Sequence, residues 1–261
     1  MSVNTYLKEL SSNLVLSSDE NEKIKISISN LEDKLKNYFG DAVTENFRFG
    51  SSTRGTILPR KVDENSDIDY MIVFDNSDNL KPQTYLDKIK KFVEKYYTKS
   101  EIHQSSPTIV LNLNHIKFEL VPAYKYGTAY YISNGNGNWM YTNPNDFNDT
   151  LTHANILNDS KLKPIIRLIK YWNITYCNRY YDSYNLEKKI TNDLKYAYTN
   201  CSNFSDYVLN AFSSLKSSLT FGSPQYNKIQ KSIDKLKEAI EDEIKYPSLY
   251  LDEIKEIFPE I

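Results

Sequence analysis

The spacing of apolar residues divides the chain into two kinds of territory. From Asp19 to Phe39 the positions Ile24, Ile28, Leu31, Leu35 and Phe39 recur at three- and four-residue steps, which predicts one face of a helix. Ser17 with Glu20, or Asp19 with Glu22, supplies a capping box at its start, and Gly40 supplies a stop. Val43, Glu45, Phe47 and Phe49 then alternate, predicting a strand that ends at Gly50. Residues 51–66 are polar and contain Gly55 and Pro59, so they read as a non-helical loop. A second strand is predicted over Asp67–Phe74, with Ile68, Tyr70, Ile72 and Phe74 on one face and Asp67, Asp69, Met71 and Val73 on the other. A helix over Asn79–Tyr97 follows, its apolar side formed by Tyr85, Leu86, Ile89, Phe92, Val93 and Tyr96. Thr108–Leu113 and His115–Val121 are β-rich runs broken at Asn114, a hairpin or a bent pair. In the second run Ile116, Phe118 and Leu120 share a face opposite Lys117, Glu119 and Val121.

Residues 134–148 are dense in Gly, Asn and Pro and read as loop. Beyond them the period becomes helical. Leu162, Ile165, Ile166, Ile169, Trp172 and Tyr176 form an apolar stripe, with Pro164 tolerated in the first turn. Further helices are predicted over Ser183–Tyr198, Asp206–Leu215 and Tyr226–Tyr246, with a short one near Leu249–Phe258. There is no internal repeat and no low-complexity linker. The pattern gives an α+β chain in two parts: a mixed sheet with helices over residues 1–150, then a helical part over residues 151–261.

Composition removes several alternatives. Hydrophobic residues make up 40% and charged residues 25%, ordinary values for a globular protein and not those of a disordered chain. No apolar run approaches ~18 residues, and the N-terminal MSVNTYLKEL lacks the apolar stretch of a secretory signal, so a cytoplasmic protein without membrane contact is expected. The two cysteines, Cys177 and Cys201, form no CxxC and sit in no Cys/His cluster, which argues against a zinc site or a disulfide framework. The net charge of −2 argues against a partner of long nucleic acid, which would call for a basic excess. His103, His115 and His153 are scattered and are read as structural or surface residues.

The candidate chemistry lies in the first part. Asp67 and Asp69, at i and i+2 on a strand, point the same way, and two adjacent anions call for a cation. All-oxygen ligands with no His or Cys nearby suit magnesium or manganese. Just upstream, Gly50 and Ser51 stand at a strand end, where backbone N–H groups and a hydroxyl can approach phosphate. A third carboxylate, Glu119, follows in the β-rich run. Each of these alone is weak; their combination points to phosphoryl chemistry. Lys163, Arg167 and Lys170 share one side of a helix off the apolar stripe, and on spacing alone this row reads as a solvated basic face.

The stretch FGSSTRGTILPRKVDENSDIDYMIVF, with FELVPAY further on, resembles the signature of the polymerase-β-like nucleotidyltransferase superfamily. Glu119 stands where Asp is commoner in that signature. IRLIKYWN and DSYNLE resemble the corresponding motifs of the bacterial cGAS/DncV-like nucleotidyltransferases, the SMODS-type CD-NTases, and WMYTNP, with Trp139 and Pro144, fits the family's loop between lobes. The resemblance covers roughly residues 40–190. It implies a two-lobed fold, with the site in a cleft between the lobes. It also implies two magnesium or manganese ions held by Asp67, Asp69 and Glu119, and a donor triphosphate held by Gly50, Ser51, Lys170 and Ser183. Tyr184 would stack on the donor base. The implied activity joins nucleoside triphosphates (ATP, GTP or UTP) into a cyclic di- or oligonucleotide with release of pyrophosphate. The implied enzyme is a monomer in anti-phage signalling whose product reaches a downstream effector protein. Two enzymatic alternatives share part of the signature: an archaeal CCA-like RNA-terminal transferase, and a toxin-type enzyme acting on tRNA or protein. A catalytically silent nucleotide-binding module is the non-enzymatic alternative.

Overall fold

The structure, a computed structural model of the chain, describes residues 1–246 and 250–261. In chain order the helices are α1 (Val3–Asn13), α2 (Ser18–Phe39), α3 (Ser51–Arg54), α4 (Pro82–Tyr96), α5 (Asp146–Leu157), α6 (Leu162–Thr175), α7 (Ser183–Leu194), α8 (Phe204–Ser217), α9 (Pro224–Lys245) and α10 (Tyr250–Ile257). The strands are β1 (Val43–Phe49), β2 (Asp67–Phe74), β3 (Glu101–Ser105), β4 (Thr108–Asn112), β5 (Lys117–Tyr126), β6 (Ala129–Ser133) and β7 (Trp139–Thr142). Packing divides the chain into two compact units, one of residues 16–60 and 64–146, the other of residues 1–15, 61–63 and 147–261.

The first unit is α+β. Its sheet runs β1-β2-β5-β4-β3, with β6 pairing the far part of β5 and β7 pairing β6. The β2–β5 pair is parallel and every other pair antiparallel, so the sheet is mixed. One face is covered by α2 and α4. Ile24, Leu31 and Leu35 from α2 and Tyr85, Leu86, Ile89, Phe92 and Val93 from α4 bury against Ile68, Tyr70, Ile72, Phe118 and Leu120 of the strands. The opposite face carries a small cluster of Met71, Val73 and Ala123, flanked by Phe47, Phe49, Tyr130 and Ile132. Of the two capping boxes the sequence offered, Ser17 with Glu20 forms.

The second unit is helical. Trp172 is fully buried, donates from Nε1 to Ser232 Oγ at 2.9 Å, and packs edge-on against Phe212 at 5.0 Å between ring centroids. The observed grouping differs from the expected division after residue 150 in three respects, one being that residues 61–63 group with the helical unit. The break falls between Asp146 and Phe147, and α1 belongs with the helical unit. Val3, Leu7, Leu10 and Leu14 bury there, Val3 N–H donates to Glu243 Oε2 at 2.9 Å, and Asn4 Oδ1 accepts from Ser205 N–H at 2.9 Å. The last predicted helix forms as α10, though Leu249 lies outside the described residues.

Several local expectations are corrected. The stretch after Gly50 begins with one helical turn, α3, instead of open loop, because Gly50 and Gly55 at its two ends both take positive φ, 71° and 73°. β7 forms inside the stretch read as loop, stabilised by pairing with β6. Among the described residues no helix is long and apolar enough to cross a membrane. Cys177 and Cys201 are free and buried, and burial pushes both thiols up to about 11.

Candidate active site

The sheet face turned away from α2 and α4 holds the acidic residues, each half-buried. Parallel pairing of β2 with β5 sets Asp67 beside Lys117 and Asp69 beside Glu119. Neighbours in register point to the same side of a sheet, as do residues two apart along a strand. The four side chains therefore occupy one patch of one face, while Ile68, Tyr70, Phe118 and Leu120 fill the core behind it. Antiparallel pairing extends the rows: Asp69 lies between Phe49 of β1 and Glu119, and Glu119 is followed by Val110 of β4 and His103 of β3.

Gly50 ends β1 beside this patch. A Cβ placed on Gly50 would land on carboxylate oxygen Oδ2 of Asp69, so the backbone here approaches the carboxylate closely. Ser51 begins α3, which is held by Thr53 Oγ1 donating to Gly50 O at 2.9 Å and by Ser52 Oγ donating to Phe49 O at 3.2 Å.

The electrostatics are those of crowded anions. Burial first, then the charges of Asp67 and Glu119, push the Asp69 carboxyl up to about 7, although Arg54 and Lys117 act in the opposite direction. Glu119 is also raised, by burial and then by Asp67, with Lys117 opposing. Lys117 Nζ stands 3.1 Å from Asp67 Oδ2 and 3.4 Å from Glu119 Oε1. Burial alone would lower its ammonium pKa, but the attraction of Asp67 and Glu119 outweighs that, and it is raised. Among the described residues no three acidic, His or Cys side chains are gathered tightly enough to cage a metal ion by themselves. The donor set nevertheless suits a hard cation. It is all oxygen, it carries excess negative charge, and a cation, the Lys117 ammonium, already stands among its oxygens.

A cavity of about 350 Å³ opens beside Glu119 and Lys117, lined also by Arg60, Glu64, His103 and Asn112. Arg60 is anchored there, donating to Asn112 Oδ1 and Leu113 O, both at 3.2 Å. His103, read from the sequence as structural or surface, is exposed and stands at the edge of this cavity. Its place follows from β3, a strand that the sequence pattern did not reveal.

The helical unit holds the remaining candidates. Lys170, expected off the apolar stripe on a solvated side, is only 7% exposed. Its Nζ donates to Oε1 of Glu187, itself fully buried, at 3.0 Å. The correction has a simple cause: α6 buries nearly its whole circumference, so a lysine on it must carry its counter-charge inside. Arg167, three residues earlier, is brought down to about 10 by burial. Glu187 is a residue that sequence reasoning missed, although it closes the DSYNLE motif one turn after Ser183. Ser183 is the first residue of α7, where Asp182 caps the helix by accepting from Asn185 N–H at 2.9 Å. Tyr184 is 38% exposed, its ring edge-on to Phe147 at 5.9 Å with Lys188 Nζ 5.8 Å from its centroid. Trp139, expected in a loop, sits on β7 of the α+β unit, donating from Nε1 to Leu80 O at 3.0 Å and packing edge-on against Tyr124.

Comparison with known proteins agrees with this architecture. Residues 1–155 match the Second Messenger Oligonucleotide or Dinucleotide Synthetase domain, or SMODS. A Bacillus cereus (strain VD146) protein named as a probable cyclic nucleotide synthase is 40% identical over 85 residues, 30% of this chain. The match spans 26% of that relative's length. Among solved structures, CdnC of E. coli MS115-1 with ATP superposes with a TM-score of 0.71 at 15% identity, covering 98% of each chain. CdnG of Bradyrhizobium diazoefficiens, a CD-NTase in complex with GTP, gives 0.73 at 12% identity, covering 97% of this chain and 94% of its own. The Vibrio cholerae DncV cyclic AMP-GMP synthase, with a linear intermediate, gives 0.66 at 14% identity over 95% of this chain and 77% of its own. At these identities the structural matches speak to fold, and that fold is the two-lobed polymerase-β-like one. Since the domain match takes in more than half of the chain, including the Gly50 turn and all three carboxylates, the protein belongs to the SMODS family.

Proposed function

We propose that this chain is a metal-dependent nucleotidyltransferase that joins nucleoside triphosphates into a cyclic di- or oligonucleotide signal, releasing pyrophosphate. The observation that carries the reading is the register of β2 against β5, which gathers Asp67, Asp69 and Glu119 on one sheet face next to the Gly50 turn. Family membership and the cyclic nucleotide synthase named above support the cyclic product. Structures of similar fold with ATP and with GTP support triphosphates as substrates.

Asp67, Asp69 and Glu119 are proposed to hold magnesium or manganese, two ions in all. When bound, these supply Lewis acidity toward a sugar hydroxyl and the phosphate under attack. The chain's own residues do the rest. Gly50 lets the backbone approach the triphosphate, and Ser51 and Ser183 offer hydroxyls to its oxygens. Lys170 neutralises charge on the leaving pyrophosphate, and Glu187 holds its ammonium in place until then. Tyr184, with an exposed ring, stacks on the donor base. Glu119 accepts the proton of the attacking hydroxyl. The product, a small diffusible nucleotide, would act on a separate effector protein in anti-phage defence.

The test is pyrophosphate release from a mixture of the four triphosphates with and without magnesium. Release that needs the metal and vanishes in Asp69→Asn supports the reading. Release that persists in Asp69→Asn refutes the site.

A further inference from the structure

Lys117 is the one member of the acidic patch that the transfer reaction has not used. It lies on the same sheet face as the carboxylates, directly beside Asp67 and two residues from Glu119. Its ammonium bridges Asp67 Oδ2 and Glu119 Oε1 at 3.1 and 3.4 Å. The pairs are largely shielded, with the Lys117 side chain 20% exposed and the two carboxylates 27% and 28% exposed. A bridging cation there spares Asp67 and Glu119 their mutual repulsion and holds their oxygens together.

We propose that Lys117 is a resident counter-ion of the active site, which a divalent metal displaces from between Asp67 and Glu119. The inference rests on reading these carboxylates as the metal site. Its logic is exclusion. A metal ion held by Asp67 and Glu119 would have to share their carboxylates with the Lys117 ammonium, and two cations repel strongly in a partly shielded site. One must leave, and the lysine is free to do so, being a charge on a flexible four-carbon stem. The cavity beside it gives it room, and its wall carries the Glu64 carboxylate and the Ser105 hydroxyl. Lys117 is thus a positioning residue. It preserves the carboxylate spacing without metal and sets the metal concentration at which the site loads.

Two measurements test this on the whole 261-residue chain. In the first, Mn²⁺ is titrated into the wild type and Lys117→Met without nucleotide, with free Mn²⁺ followed by electron paramagnetic resonance. Removing the competing cation should tighten Mn²⁺ binding about five- to tenfold, the worth of one to two partly shielded ion pairs. The metal-free variant should also melt at a lower temperature than the wild type. Equal or weaker Mn²⁺ binding in Lys117→Met overturns the proposal while leaving the metal site standing. Absence of binding in both proteins overturns the metal-site reading and the proposal with it. The second measurement needs no variant. Acylation of Lys117 by an amine-reactive reagent, quantified by mass spectrometry on the wild type, should rise when magnesium is added. Labelling that stays level or falls contradicts displacement.

Discussion

The backbone at Gly50 and the side chain of Asp69 are packed so closely that a methyl group on the former would occupy the carboxylate oxygen of the latter. Gly50 also sits at φ 71°, which L-residues seldom adopt. Two separate demands thus fall on one position. Gly50→Ala must strain the backbone and push Asp69 out of its place. We expect at least a hundredfold loss of transfer activity, by analogy with the roughly 10²-fold cost of misplacing a reacting group by an ångström. The backbone strain should cost about 1–3 kcal/mol of stability. Rates and chemical denaturation measured on the same preparation check both.

Asp69 makes the metal-free protein sensitive to pH in a definite direction. Its folded-state carboxyl is raised from 3.8 to about 7, so the folded protein binds the proton more tightly than the unfolded chain does. That contribution is fully present below pH 3.8 and is lost as pH rises through about 7. Glu119, also raised, adds in the same sense. Without metal, therefore, Asp69→Asn should be at least as stable as the wild type at pH 8, and should flatten the decline between pH 4 and 7. Thermal melts across that range, in chelator, decide it. A variant less stable than the wild type at pH 8 contradicts the account.

Lys170 and Glu187 form a buried ion pair, and each should be costly to remove alone. Glu187→Gln takes a buried counter-charge from the Lys170 ammonium, a kind of change that typically costs about 3–5 kcal/mol. Lys170→Met should cost a similar amount by removing the ammonium against which the Glu187 carboxylate is buried. The double variant Lys170→Met/Glu187→Leu should be more stable than either single one. A double-mutant cycle by urea denaturation provides the measurement. Additive losses would show that the pair does not act as a unit.

Tyr184 is 38% exposed, with its ring edge-on to Phe147 at the surface of the helical unit. Tyr184→Ala should leave the melting temperature nearly unchanged while raising the KM for the donor triphosphate about five- to a hundredfold, the range expected for one base stacked on an aromatic ring. Steady-state kinetics with the donor varied will show it. An unchanged KM would remove Tyr184 from the donor site.

Much of the α+β unit could be read from alternation alone. Ile68, Tyr70, Ile72 and Phe74 against Asp67 and Asp69 is a strand pattern that leaves little choice, and β2 forms over the predicted residues. The partner of that strand was harder to foresee. The place of Glu119 beside Asp69 depends on β5 pairing parallel to β2, a long-range register that local spacing cannot encode. Lys117 could be placed on the face of Glu119, but its pairing with Asp67 could not be foreseen, for the same reason. β3 and β6 are short and polar at several positions, and pairing with β4 and β5 gives them their form. In the helical unit the period of α6 was clear, but a lysine between apolar residues reads as solvent-facing until Glu187 is placed against it. The helical turn at Ser51–Arg54 was hidden by the same glycines that frame it.

The central claim is a cyclic nucleotide product built at Asp67, Asp69 and Glu119. The most direct measurement incubates the protein with labelled ATP, GTP, CTP and UTP plus magnesium or manganese, then treats the products with phosphatase. The account predicts a small labelled product resistant to phosphatase, made by the wild type and absent with Asp69→Asn. Label that appears only on added tRNA, or a product that phosphatase degrades completely, would contradict it.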